Sequence, residues 1–123
     1  MAVPVLKQGG YLIASVQAAM TDSDALHLQN DLMAQVGRFR SRGIIVDVTM
    51  LDVIDSFAAR SFRTIAHMTR LRGAVTVLVG IQPEVAFAMV QLGISMEDVD
   101  TALDLEEGLE LLRRRTAVGS SDG

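Results

Sequence analysis

Two short runs, Ile44-Ile45-Val46-Asp47-Val48 and Val75-Thr76-Val77-Leu78-Val79, constrain this chain more than any other feature. Each is nearly continuous in β-branched and aliphatic residues, the pattern of a strand covered on both faces. The segment between them changes to a helical period, with Ala58, Phe62, Ile65 and Met68 or Thr69 on one side, from Ser56 to Leu71. Strands joined through a helix require a crossover connection, and crossovers build parallel sheets.

The remaining pattern extends that unit in both directions. Val3-Pro4-Val5-Leu6 and Tyr11 to Val16 read as two strands turning at Gly9-Gly10. Pro4 cannot donate to a ladder, which places the first strand at a sheet edge. Thr21 and Asp24 form a capping-box pattern before a stripe of Ala25, Leu28, Leu32, Val36 and Phe39. Arg38, Arg40 and Arg42 follow, and Gly43 is expected to stop that helix. Pro83 opens a third helix that Gly93 closes, and a short strand is expected near Val99 to Ala102. Asp104 then caps a last helix with Leu105, Leu109 and Leu112 inward, Glu106 and Glu107 in its first turn, and Arg113 to Arg115 in its last. The expected fold is a single α/β domain over residues 1–115. It has a mixed, mainly parallel sheet of four or five strands and about four helices. Residues 116–123 are expected to be a polar, flexible tail.

Composition removes whole classes of function. The 123 residues contain no cysteine, so a disulfide framework, a Cys-based zinc site and a Cys nucleophile are all excluded. The net charge of −4 argues against general nucleic-acid binding. No apolar stretch approaches the ~20 residues of a membrane helix, and the N-terminus lacks a signal-peptide pattern. A cytoplasmic protein is therefore the expectation. His27 and His67 each stand alone in a helical pattern, and the glycines form neither a Rossmann nor a Walker loop. Asp52 and Asp55 read as turn formers more readily than as an acid–base pair. No cofactor, metal or catalytic residue is expected.

One segment carries more than packing. Asp47 to Arg63 is a buried strand, an acidic and apolar loop, and a helix headed by Asp55-Ser56. Ser56 can act as an N-cap, accepting from the amides of Ala58 or Ala59. The same place also suits a phosphate, because free amides and the positive helix end favour an anion. Arg60 lies one turn along, while Asp55 would repel the added charge. Between Asp55 and Glu84 every charged residue is basic, namely Arg60, Arg63, Arg70 and Arg72. That stripe is either a solvated helix face or a docking surface for an acidic partner.

From Val3 to about Arg114 the chain resembles the STAS family, shared by sulphate transporters and anti-sigma-factor antagonists. Asp55-Ser56-Phe57-Ala58-Ala59-Arg60 is similar to the Asp-Ser-Phe-x-x-Arg of its RsbS-type stressosome antagonists, and Gly80-Ile81-Gln82-Pro83-Glu84-Val85-Ala86 to their Gly-Ile-x-Pro-x-Val-Ala. The resemblance implies helices packed largely on one face of the sheet and a phospho-acceptor at Ser56. Asp55, Phe57, Arg60 and Arg63 would form the partner surface. It also implies three partners: an RsbT-type serine kinase, RsbR-type STAS proteins in a large shell, and a phosphatase that resets Ser56. A simple anti-anti-sigma factor is the alternative. Its Asp-Ser-Ser/Thr-Gly-Leu pattern is not matched by Phe57-Ala58-Ala59. A transporter-type STAS domain would accompany membrane segments. An RsbR-type sensor would carry a further N-terminal domain, whereas the first strand here is expected from Val3.

Overall fold

The computed structural model describes residues 3–121. The elements follow the order β1 (Val5–Gln8), β2 (Tyr11–Ser15), α1 (Asp22–Phe39), β3 (Gly43–Asp47), α2 (Ser56–Leu71), β4 (Val75–Val79), α3 (Pro83–Gln91), β5 (Asp100–Ala102) and α4 (Leu105–Ser121). The five strands form one sheet in the order β1-β2-β3-β4-β5, so each strand lies beside its predecessor. β1 is antiparallel to β2, and the later pairs are parallel.

Alternation along the strands divides the core. Leu12, Ile44, Val46 and Leu78 face one way and pack with Leu28, Leu32 and Val36 of α1, with Phe62 and Ile65 of α2, and with Val85 and Met89 of α3. Ile13, Ile45, Val77 and Val79 face the other way, onto Leu112 of α4. Three helices therefore cover one face and α4 the other. Burying Phe62 or Ile65 contributes about 1.5–3 kcal/mol each in transfer free energy, enough to fix which side of α2 turns inward.

Several boundaries differ from expectation for local reasons. The β1 ladder starts at Val5 and not Val3, because Pro4 has no N–H; its carbonyl still accepts from Ser15 N at 3.1 Å. α1 stops at Arg40, whose backbone is left-handed (φ 51°), before Gly43 is reached. Gly43 instead opens β3, where a Cβ would come within 2.8 Å of the Tyr11 ring and 2.9 Å of Leu112. Phe39 leaves the core stripe and lies at the surface between Lys7 and Arg38, their cations 5.5 and 5.2 Å from its ring centroid. Residues 116–121, expected as tail, continue α4, so Arg113 to Arg115 are mid-helix and not its last turn. The Thr116 hydroxyl donates to Leu112 O at 2.7 Å and lies 3.0 Å from the Tyr11 hydroxyl, which ties this part of the helix to the sheet. Residues 122–123 of the expected tail lie outside the described residues.

Candidate functional site

The loop from β3 to α2 lies at the carboxyl ends of the parallel strands, where α/β sheets usually place their sites. The Asp47 side chain turns it first, with Oδ1 accepting from Thr49 N at 2.9 Å and from Thr49 Oγ1 at 2.6 Å. Gln82 Nε2 then donates to Thr49 O at 2.7 Å. Gly80, with φ +84°, lies so close to Thr49 that a Cβ there would collide with its hydroxyl. Leu51 and Ile54 anchor the loop in the core, while Met50 and Val53 project outward, each 66% exposed. The loop is thus pinned at both ends and apolar at its crest.

The helix start corrects one reading of Ser56. Asp55 is the N-cap: its Oδ1 accepts from Ala58 N at 2.8 Å, and its carbonyl accepts from Ala59 N at 2.9 Å. Ser56 is the first helical residue, exposed, and its hydroxyl has no partner among the described residues. A carboxylate accepts through two oxygens and holds the cap as well as a serine would, so Ser56 is released from that task. Asp52 is exposed on the loop and makes no couple with Asp55.

The neighbouring side chains are spread along α2. Phe57 is half-buried, and its carbonyl accepts from the Ser61 hydroxyl at 3.0 Å. Arg60 is exposed without a polar partner among the described residues. Arg63 donates to Ser95 O at 2.9 Å and Arg70 to Asp98 O at 3.2 Å, while His67 Nε2 lies 3.7 Å from the Asp98 carboxylate. Part of the basic stripe therefore holds the loop before β5 instead of standing free. Thr49, Gly80 and Gln82 were not assigned roles from sequence, although Asp-x-Thr after a strand is an Asx-turn signal and a glycine directly after a strand marks close approach. Among the described residues no group of His, Asp and Glu could hold a metal ion, and no helix is long and apolar enough to cross a membrane.

The sheet order, with α1, α2 and α3 on one face and α4 on the other, defines a small α/β domain of a recognisable type. The chain belongs to the STAS domain family, whose family model matches residues 2–108. It is 33% identical over 86 residues to the RsbT co-antagonist protein RsbRA of Bacillus subtilis, covering 70% of this chain and 31% of that protein. It spans only 28% to 38% of the length of the RsbT co-antagonist proteins it matches. A solved serine-to-glutamate variant of RsbS from Moorella thermoacetica superposes with a TM-score of 0.78 at 28% identity, covering 94% of this chain and 97% of that one. A chain from a structure of the stressosome, described as a signal integration and transduction hub, superposes with a TM-score of 0.75 at 29% identity, covering 92% and 98%.

Proposed function

We propose that this chain is an RsbS-type stressosome antagonist. It holds an RsbT-type serine kinase in an assembly with RsbR-type STAS proteins, and it releases the kinase when Ser56 is phosphorylated. The observation that carries this reading is the exposed, unengaged Ser56 hydroxyl at the first position of α2, with the cap supplied by Asp55. The likeness to RsbS and to a stressosome chain over nearly the full length of each supports the assembly. The chain itself performs no catalysis in this scheme; the kinase transfers the γ-phosphoryl group of ATP to Ser56 Oγ, and a phosphatase removes it. The cytoplasm, where such a kinase meets ATP, is the proposed location.

The chemistry of the acceptor fits a reversible mark. A phosphate on Ser56 brings roughly −1.5 to −2 charges and three acceptor oxygens. The first amides of α2 have no intrahelical acceptor and, with the positive helix end, tolerate an anion. Arg60 stands one turn along to pair with it, and Asp55 opposes it. The mark therefore changes the charge of a surface flanked by Met50 and Val53 without dismantling the helix under it.

Incubation with an RsbT-type kinase and ATP, followed by peptide mapping and sizing with an RsbR-type protein, tests the proposal. Label should fall on Ser56, vanish in Ser56→Ala, and accompany a particle far larger than a dimer. Label on Thr21, Ser23 or Ser61 would overturn the site. A small complex with an anti-sigma kinase alone would replace the stressosome role by the simple anti-anti-sigma one.

A further inference from the structure

Arg40, Arg42 and Arg113 come from the end of α1, the connection into β3 and the middle of α4, yet they line one cleft of about 550 Å³ with Tyr11 and Thr116. The cleft lies at the amino ends of the parallel strands, opposite the end that carries Ser56. Favourable interaction with a helix dipole accounts for Arg40 but not for Arg113, because α4 continues to Ser121. Arg40 is also the only described non-glycine residue with positive φ, at a helix-ending position where glycine is the cheaper choice.

Free guanidinium groups are not confined to this cleft, since Arg60 on α2 also lacks a polar partner among the described residues, but here two of them converge with a third. Arg63, Arg70 and Arg115 are engaged by Ser95 O, Asp98 O and the Asp100 carboxylate. The Arg40 and Arg42 side chains have no polar partner among the described residues. Arg113 gives one amino group to Glu110 at 2.8 Å, holding that carboxyl below the ordinary glutamate range, and keeps further donors free. The wall behind them is fixed. Since the Thr116 hydroxyl spends its proton on Leu112 O, the Tyr11 hydroxyl is the donor in their 3.0 Å contact, which locks the ring in place.

From this convergence we infer that the cleft binds a small multivalent anion bearing phosphate groups or several carboxylates. Guanidinium forks match both oxyanions bidentately, and three of them in one cleft favour a ligand with more than one charge. The volume falls within the range of about 300–1,000 Å³ typical of small-molecule sites. The inference does not depend on the role proposed for Ser56.

The test is amide NMR titration of the full chain with inorganic pyrophosphate and, separately, with citrate, at about 0.15 M salt to screen diffuse attraction. Gly10, Tyr11, Arg40, Arg42, Arg113 and Thr116 should shift saturably with at least one probe, and the probe that binds tells phosphate from carboxylate chemistry. Arg42→Ala and Arg113→Ala should each weaken binding by about tenfold or more with an unchanged melting temperature. Non-saturating shifts, or equal shifts at Arg60 and Arg63, would overturn the site. Saturation by a polyglutamate peptide but by neither small anion would overturn it too, making the cleft a docking surface for an acidic protein.

Discussion

The Asp55 carboxylate lies 2.8 Å from the amide nitrogen of Ala58, and this bond separates two tasks that the sequence places side by side. Asp55 holds the helix, and the Ser56 hydroxyl is left without a bond among the described residues. The stability effects of the two residues should therefore diverge. Asp55→Ala should cost about 0.5–2 kcal/mol through loss of the cap. Ser56→Ala should stay within about 0.5 kcal/mol of wild type, as for an exposed position without a structural bond. Urea unfolding of both variants decides the matter, and equal losses would return the cap to Ser56.

Phosphorylation should act on binding and not on folding. The phosphorylated protein should lose kinase affinity most, and Ser56→Asp less, because it adds about one charge and lacks the phosphate's geometry. The melting temperature should move little in either. Calorimetric binding and thermal melts on the same three samples separate the outcomes; a phosphorylated form that melts far lower would point to a switch by local unfolding.

Close approach between Gly80 and Thr49 predicts a coupled pair of substitutions. Gly80→Ala should destabilise the protein by about 1–3 kcal/mol, combining a left-handed backbone with a collision against the Thr49 hydroxyl. Adding Thr49→Ala should restore part of the loss, giving a coupling of about 0.5 kcal/mol or more in a double-mutant cycle. Strict additivity would mean that the backbone conformation alone sets the cost.

Arg63 and its bond to Ser95 O predict a local effect. Arg63→Ala should speed amide hydrogen exchange around Ser95 to Val99, with a global loss of no more than about 1.5 kcal/mol. Arg60→Ala should leave that exchange unchanged and register only in kinase binding. An identical exchange pattern in both variants would show that Arg63 is as free as Arg60.

Most of the architecture can be read from period. The runs at Ile44 and Val75, the two runs either side of Gly9-Gly10 and the short run near Val99 place the five strands, and the stripes through Leu28 and Phe62 place the cores of α1 and α2. Features that depend on a single bond are harder to read. From sequence the cap falls to Ser56, whereas the bond to Ala58 N comes from Asp55; both side chain types can accept from such amides, so residue type alone does not separate them. Sequence also ends α4 at its arginines, because their placement fits a helix terminus. What carries α4 onward includes a hydroxyl contact to Tyr11, 105 residues away in the chain. The cleft of Arg40, Arg42 and Arg113 stays hidden for the same reason, since its walls meet only once the sheet has formed.

The sheet order equals the chain order, and this bears on how the protein is made. Each strand leaving the ribosome finds its partner already present, so the sheet can grow one edge at a time with little long-range search. The loop that presents Ser56 is finished later than the residues that compose it. Its clamp on Thr49 needs Gly80 and Gln82, which follow β4. A nascent chain shorter than that carries the serine but not the clamp, so a fully shaped loop ahead of Ser56 is confined to chains that have closed the β3–β4 pair.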